Sequence, residues 1–178
     1  MDAIHDPVVE RTDDEDFVAF VTARWAPLYR FAWLVTGGHD SAEDLLQLAL
    51  EKSYVSWGRI RRMDAPEAYV RRVVSNTAIS QSRRSFLHHE VNRPELPEHV
   101  RASFEDASDS HALLWPLVCS LPPRQRAVVV LRFYEDLTEA QVAQELGCSI
   151  GTVKSQGHDA MQSLRRGVDA WATGEVTA

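Results

Sequence analysis

The chain has 178 residues, of which 44% are hydrophobic, and a formal net charge of −7. This length fits one domain or two small ones, and the hydrophobic content is sufficient for a globular core. The sequence has no run of eighteen apolar residues, so no membrane insertion is expected, and its acidic N-terminus lacks the apolar segment of a secretory signal. We therefore expect a cytoplasmic, nucleoid-associated protein if the chain binds DNA.

The charged residues are distributed unevenly. Residues 1–16 contain one basic and seven acidic residues, whereas residues 17–85 contain ten basic and six acidic ones. Residues 86–110 contain two basic and six acidic residues, and residues 111–178 contain six basic and seven acidic ones. A basic segment thus lies between two acidic ones, which is compatible with a nucleic-acid partner despite the negative net charge. One hypothesis that follows is that the acidic tail or linker covers the basic surface in the free protein.

The hydrophobic pattern predicts an all-α protein with two small helical domains joined by an acidic linker. We assign residues 1–14 to a disordered acidic tail and residues 15–85 to a first domain, a three-helix bundle. Its first helix is expected to begin near Phe17, where apolar and aromatic residues start to recur at helical spacing. The second helix is predicted over about Ala42–Trp57, with Tyr54 buried, and the third over about Pro66–Arg84.

The third helix and the turn before it are rich in arginine. Seven arginines lie between Arg59 and Arg84, against two acidic residues. Such charge is compatible with a nucleic-acid partner, although an ordinary solvent-exposed helix face carries similar charge. The turn contains Arg59, Arg61 and Arg62, and the third helix is predicted to expose Arg71, Arg72 and Asn76.

The linker is assigned to residues 86–110, which contain two prolines and show no sustained helical pattern. Within it, His88 and His89 have no nearby cysteine, and no metal site is predicted. Cys119 and Cys148 are too few for a disulfide framework, so both are expected to be core thiols.

The second domain, residues 111–170, is predicted to end in a helix-turn-helix, followed by a tail of residues 171–178. Thr138 begins a capping box for a short helix, Gly147 occupies the corner after it, and Ser149 can cap the longer helix that follows. The buried stripe of that helix is predicted to consist of Ile150, Val153, Gly157, Met161, Leu164 and Val168. Its outer face carries side chains suited to phosphates and base edges: Thr152, Lys154, Ser155, Gln156 and His158.

Three stretches together resemble the extracytoplasmic-function (ECF) class of sigma-70-family RNA polymerase sigma factors, more closely the compact actinobacterial sigma-E-like type. They are AEDLLQLAL at residues 42–50, MDAPEAYVRRVVSNTAIS at 63–80, and LPPRQRAVVVLRFYEDLTEAQVAQELGCSIGTVKS at 121–155. The resemblance covers about residues 15–170. It implies that the first domain is sigma region 2, that the second is region 4, and that the protein binds core RNA polymerase and directs promoter-specific transcription initiation.

For region 2, the resemblance implies two contacts. The polar face of the second helix would dock on the clamp helices of the largest polymerase subunit. The arginine-rich turn and the third helix would capture the minus-10 element as single-stranded DNA, which requires a cationic groove. The implied DNA-binding residues are Arg59, Arg61, Arg62, Met63, Asp64, Arg71, Arg72 and Asn76. The implied polymerase-binding residues are Asp44, Gln47, Leu48 and Glu51.

For region 4, the resemblance implies that the domain contacts the polymerase flap and reads the minus-35 element through the major groove. Lys154 and Ser155 match positions that contact bases and phosphates, and Arg124 and Arg126 are expected on the DNA backbone. Asp159 stands where relatives usually have an arginine, which predicts an atypical or weak minus-35 preference.

The sequence contains no catalytic constellation, no glycine-rich phosphate loop and no metal-ligand spacing, so neither an enzyme nor a cofactor is predicted. Two alternatives stay open: a stand-alone helix-turn-helix regulator, and a sigma-like adaptor that no longer initiates transcription. The second alternative is motivated by departures from the family pattern at Leu48, Gln81, Gly157 and Asp159. An anti-sigma factor is an additional candidate partner.

Overall fold

The computed structural model describes residues 12–85 and 110–173, and every regular element in those residues is helical, as predicted. The helices are α1 (Asp13–Thr36), α2 (His39–Tyr54), α3 (Trp57–Ile60), α4 (Pro66–Ser85), α5 (Ser110–Ser120), α6 (Pro123–Val129), α7 (Glu139–Leu146) and α8 (Ile150–Ala172). A π-helical turn, Val130–Tyr134, continues α6. Within the described segments, no helix is long and apolar enough to cross a membrane.

The first helix begins earlier than predicted. Thr12 accepts a hydrogen bond from the backbone N–H of Glu15, and the Glu15 side chain accepts one from the backbone N–H of Thr12, so the two residues form a capping box. The prediction that residues 1–14 form a tail is therefore wrong for Asp13 and Asp14, which lie in the first turn of α1. Residues 1–11 lie outside the described residues.

The second helix is displaced toward the N-terminus relative to its prediction. It begins at His39 rather than Ala42 and ends at Tyr54, and Trp57 belongs to the separate short helix α3. Trp57 is buried, whereas Tyr54 is 47% exposed and donates a hydrogen bond to Asp14, so its predicted burial is wrong. The ring of Tyr54 contacts Phe17 at the edge of the core, which is why its apolar character misled the prediction.

The helix-turn-helix forms with the predicted local chemistry. Thr138 and Gln141 make the capping box of α7, and Ser149 accepts from the backbone N–H of Thr152 at the start of α8. Gly147 ends α7 with φ 62°, a left-handed conformation that favours glycine. Only part of the predicted α8 stripe is buried. Val153 is 2% exposed, whereas Ile150, Met161 and Val168 are 46%, 37% and 41% exposed.

The helices on both sides of residues 86–109 share one hydrophobic core. Trp33 of α1 and Trp115 of α5 stack with ring centroids 4.6 Å apart, and both are buried. Helix α4 packs against α2 and α1 on one side and against α6 and α7 on the other. Aromatic stacking of this kind adds about 0.5–1.5 kcal/mol to the effect of the buried area alone. The helix-turn-helix is therefore fixed against the helices that carry the arginine-rich segment.

Candidate nucleic-acid interface

The turn between α3 and α4 presents an exposed, partly cationic edge. Arg59 in α3 and the turn residues Arg62, Met63 and Asp64 are all exposed, as DNA-contacting residues must be. The Arg59 guanidinium lies 3.4 Å from the hydroxyl oxygen of Tyr69, to which it donates a hydrogen bond. This contact links the turn to the first part of α4.

Arg61, in the same turn, is paired with the start of α1. Its guanidinium lies 2.9 Å from an Asp13 carboxylate oxygen and 2.5 Å from one of Asp16. Four acidic residues occupy the first turn of α1, where the helix dipole favours them. Asp13 was assigned to the tail and Asp16 precedes the predicted start of the first helix, so the pairing was not predicted. Acidic groups of α1 thus contact one of the predicted DNA-binding cations. Most of the acidic tail and the linker lie outside the described residues, so the hypothesis that they cover the basic surface stays a prediction.

A cleft of about 410 Å³ lies between α2 and α4. Its lining combines a lysine, an arginine, an aromatic ring, an amide and hydroxyl groups: Lys52, Tyr69, Arg72, Val73, Asn76, Thr77 and Ser80. The Lys52 ammonium donates a hydrogen bond of 3.1 Å to the Thr77 hydroxyl, which positions the cation at the cleft wall. Cationic, aromatic and amide groups around one concave site are the groups that hold an unpaired nucleotide base and its phosphate.

The sequence analysis missed two residues of this cleft. The sequence candidates included neither Lys52, the single lysine of α2, nor Tyr69 of α4. Tyr69 is in fact half-buried and lies along the cleft. The available signal was its spacing: Tyr69, Arg72 and Asn76 recur at intervals of three and four, so they share one helix face.

Neighbouring arginines of α4 face different surroundings. Arg72 is exposed and lines the cleft, as predicted. Arg71 was also predicted to be exposed to DNA, but its side chain is only 18% exposed and lies between Glu135 and Glu145 of the helix-turn-helix half. In this arrangement Arg71 is not available to a phosphate, because its two terminal nitrogens are already bonded to carboxylates.

The outer face of α8 carries the predicted polar residues. Lys154, Ser155, His158 and Asp159 are exposed, whereas Thr152 and Gln156 are half-buried. Local contacts hold some of these side chains: Lys154 lies 3.8 Å from Glu139, and a ring nitrogen of His158 lies 3.0 Å from the Gln162 amide nitrogen.

Asp159 makes no ion pair with any residue in the described segments, including Arg165. The carboxylate therefore faces solvent on the surface predicted to read DNA. A carboxylate in the major groove accepts a hydrogen bond from a cytosine amino group and repels phosphates.

The two arginines at the start of α6 differ sharply. Arg124 is exposed, in agreement with a backbone contact, but Arg126 is half-buried and donates to carbonyl oxygens at two helix ends. The acceptors are the carbonyl oxygens of Val35, Thr36, Cys119 and Leu121. The prediction that Arg126 lies on the DNA backbone is therefore wrong in this conformation, because its guanidinium satisfies carbonyls that the helices leave without partners.

A second cleft, of about 320 Å³, runs along the side of α8. Gly157 lies on its wall, where an added Cβ would make only ordinary contact with Val128 at 3.7 Å. Phe133 and Met161 expose apolar surface here, and Arg132 and Arg165 supply positive charge. None of the arginines of this cleft was among the sequence candidates.

The residues implied to dock on polymerase share the outer surface of α2. Asp44, Gln47, Leu48 and Glu51 are all exposed. Val55, one residue past the end of α2, is 85% exposed and lies two helical turns from Leu48. The surface thus combines acidic and apolar groups, and Val55 was not among the predicted docking residues.

The cysteines are free and half-buried, as core thiols would be. Burial raises the pKa of the Cys119 thiol to about 11, although Arg126 lowers it. In residues 12–85 and 110–173 no cluster of histidine, cysteine or acidic residues is arranged to hold a metal ion. The His88–His89 pair lies outside the described residues.

Comparison with known proteins identifies both halves of the chain. A family model described as Sigma-70 region 2 matches residues 20–85, and one described as Sigma-70, region 4 matches residues 119–166. An RNA polymerase sigma-E factor from Streptomyces avermitilis is 37% identical over 158 residues, which cover 87% of this chain and 86% of the relative. The chain belongs to the sigma-70 family. Within it the chain falls in the ECF group, as the resemblance implied.

Two further relatives of this sigma-70 family member support the assignment and the fold. The ECF RNA polymerase sigma factor SigL of Mycobacterium tuberculosis is 29% identical over 144 residues, covering 79% of this chain and 81% of that one. The sigma factor RpoE of Bartonella quintana, solved in complex with the anti-sigma factor NepR, shares the fold. That likeness has a TM-score of 0.65 at 23% identity and covers 85% of this chain and 95% of RpoE.

Proposed function

We propose that this chain binds core RNA polymerase and directs promoter-specific transcription initiation. The α3–α4 turn and the α2–α4 cleft would hold the minus-10 element as a single strand, and α8 would read the minus-35 element in the major groove. The observation that carries this proposal is the composition of the α2–α4 cleft. Base–aromatic stacking contributes about 1–3 kcal/mol per base, and the cleft places Tyr69 beside two cations and the Asn76 amide.

We propose the exposed surface of α2 as the contact with the polymerase clamp helices. Asp44 and Glu51 supply negative charge for a basic partner. Leu48 lies between these two acidic residues and Val55 lies beyond Glu51, and both expose apolar area. Region 4 would contact the polymerase flap. An anti-sigma factor is a further proposed partner, since the RpoE relative was solved bound to one.

At the minus-35 element, the exposed carboxylate of Asp159 favours a sequence preference that differs from that of relatives with an arginine. Lys154 and Ser155 would supply phosphate and base contacts, and Arg124 a backbone contact. The weaker electrostatic attraction expected from Asp159 makes region 2 the stronger of the two promoter contacts.

The test is run-off transcription with core polymerase on promoter libraries, with gel shifts of the chain alone beside it. We expect promoter-specific transcripts with polymerase and little duplex binding without it. Asn76→Ala should reduce initiation by about tenfold, because it removes an amide from the cleft. The control is Arg24→Ala, which removes an exposed cation on α1 that pairs with Glu67 outside the cleft and should leave transcription unchanged.

The same assays separate the two alternatives. Tight, specific duplex binding without polymerase, with no transcript, would indicate a stand-alone regulator. Binding to core polymerase with no transcript from any library member would indicate an adaptor that no longer initiates.

A further inference from the structure

Helix α3 is held in place by the start of α1. It has four residues, Trp57–Ile60, too few for a helix to form stably on its own. The buried ring of Trp57 contacts two aromatic rings of α1, with centroid distances of 5.1 Å to Phe17 and 4.8 Å to Phe20. The position of α3, which leads directly into the exposed turn before α4, therefore depends on α1.

Two carboxylates of α1 also bind the first residue after α3. Nη2 of Arg61 lies 2.9 Å from a carboxylate oxygen of Asp13, and Nη1 lies 2.5 Å from one of Asp16. The two aspartates are three residues apart, so they share one face of α1. Each terminal nitrogen of the guanidinium has its own carboxylate, which fixes the direction of the Arg61 side chain. These three side chains form a clasp between α1 and the turn.

Gly58 of α3 gives the clasp its room. A Cβ at this position would lie 2.8 Å from a carboxylate oxygen of Asp13, closer than such atoms approach one another. A side chain there would push the Asp13 carboxylate away from its place beside Arg61. A second link lies nearby, where the Tyr54 hydroxyl donates a hydrogen bond of 2.8 Å to Asp14. The first turn of α1 is therefore fixed against both α3 and the end of α2.

The turn connects the clasp to the α2–α4 cleft. The backbone N–H of Arg61 donates a hydrogen bond of 2.9 Å to the carbonyl oxygen of Trp57, so the turn moves together with α3. Arg59 of α3 donates to the hydroxyl of Tyr69, whose side chain lines the cleft. A displacement of α3 would therefore change both the exposed turn and the edge of the cleft.

We propose that Arg61 is a positioning residue and not a DNA contact. The clasp holds the α3–α4 turn in the conformation that accepts the minus-10 strand, so strand capture does not have to order the turn first. The inference rests on the proposed function, because that function assigns the turn to the minus-10 element. It gives Arg61 a different role from the one that the resemblance implies.

Neutralising the two aspartates distinguishes positioning from masking. If Asp13 and Asp16 only screened a DNA-binding cation, Asp13→Asn/Asp16→Asn would tighten DNA binding, because it removes negative charge. The clasp predicts the opposite result. Binding of a minus-10 single strand should weaken by about fivefold, a modest factor because the ion pairs are partly exposed.

The control with the same change in net charge is Asp136→Asn/Asp169→Asn. Both residues are exposed and form no ion pair in the described segments. Asparagine also tolerates the left-handed conformation of Asp136, whose φ is 51°. This control should bind the strand as the wild type does.

The measurement uses the complex of this chain with core polymerase and a fluorescent single strand that carries the minus-10 sequence of a promoter selected from the libraries. A scrambled strand of the same length is measured beside it. The clasp positions the turn for particular bases, so only binding of the minus-10 strand should weaken, and the ratio of the two affinities should fall by about fivefold. An equal loss for both strands, or tighter binding, would overturn the proposal.

Arg61→Lys tests the clasp without a change in charge. A lysine keeps a contact with phosphate, but one ammonium lacks the planar fork that meets two carboxylates. The clasp therefore predicts binding of the minus-10 strand that is weaker by about threefold, whereas wild-type binding would overturn the proposal. Arg24→Lys, at an exposed arginine of α1 that pairs with Glu67, is the control and should have no effect. If Asp13→Asn/Asp16→Asn does not fold, Arg61→Lys decides the matter, because it leaves α1 unaltered.

Amide hydrogen exchange in the free chain gives a readout that requires neither DNA nor polymerase. Residues 61–65 should exchange about three- to fivefold faster in both clasp variants and at the wild-type rate in both controls, because the turn loses its anchor. Unchanged exchange would overturn the clasp and leave the proposed function intact. If no single strand binds even to the wild-type complex, the proposed function fails, and the exchange rates still decide whether the clasp holds the turn.

Discussion

Arg126 of α6 donates a hydrogen bond to the backbone carbonyl oxygen of Thr36, in the last turn of α1. The second terminal nitrogen of the same guanidinium bonds to the carbonyl oxygens of Cys119 and Leu121. One side chain therefore ties the end of α1 to the end of α5, and burial lowers the pKa of Arg126. Carbonyls at a helix C-terminus carry partial negative charge, which a cation stabilises.

Arg126→Ala should destabilise the protein without a specific effect on DNA. Removing the guanidinium leaves several part-buried carbonyls unpaired, at a cost of about 2–5 kcal/mol in the free energy of unfolding. Arg124→Ala is the matched control two residues away, and it should change that free energy by less than about 0.5 kcal/mol. Urea denaturation measures both.

In promoter binding by the polymerase complex, Arg124→Ala should have the larger effect and Arg126→Ala the smaller one. Arg124→Ala should reduce the salt dependence of promoter binding by about one phosphate contact. Folded Arg126→Ala should retain the wild-type slope. If Arg126→Ala instead had the wild-type free energy of unfolding and a reduced salt dependence of promoter binding, Arg126 would contact DNA after all.

Two glycines of α8 should respond in opposite ways to alanine. At Gly157 a Cβ meets Val128 at an ordinary 3.7 Å, so Gly157→Ala should raise the free energy of unfolding by about 1 kcal/mol through helix propensity. At Gly167 a Cβ would lie 2.5 Å from a Leu117 methyl group, so Gly167→Ala should lower it. Thermal denaturation of both variants checks this order. Equal shifts would mean that helix propensity alone governs both positions.

Asp159 should determine part of the minus-35 preference. Asp159→Arg should restore attraction to phosphates and change the preferred base at one position by about 1–3 kcal/mol. Footprints and selected promoter libraries with the polymerase complex measure both effects. Identical affinity and identical preference in the variant would contradict a role for Asp159 in DNA reading.

The helix-turn-helix was predictable from sequence because its signals are local. Thr138 and Gln141 cap one helix, and Gly147 ends it in the left-handed conformation, so residues within one turn of each other specify the motif. The exposed polar face of α8 follows from the same helical spacing.

The environments of the arginines were not predictable, because they depend on contacts between distant segments. Arg71 and Arg72 are adjacent in sequence, yet one lies between two glutamates more than sixty residues away and the other lines a cleft. Arg61 likewise pairs with Asp13, which was assigned to the tail, and with Asp16, which precedes the predicted start of the first helix. Arginine-rich composition indicated a DNA-binding segment, but only the packing of α4 against α7 separates the arginines by role.

The most direct test of function is permanganate reactivity of thymines in the minus-10 element, measured in complexes of promoter, core polymerase and this chain. Promoter-specific reactivity is expected with the wild-type chain, because capture of the strand in the α2–α4 cleft leaves its bases unpaired. It should fall about tenfold with Asn76→Ala and stay unchanged with Arg24→Ala. Absence of reactivity from complexes that contain polymerase and promoter would contradict a role in promoter opening. Equal reactivity with all three proteins would contradict capture of the strand in the α2–α4 cleft.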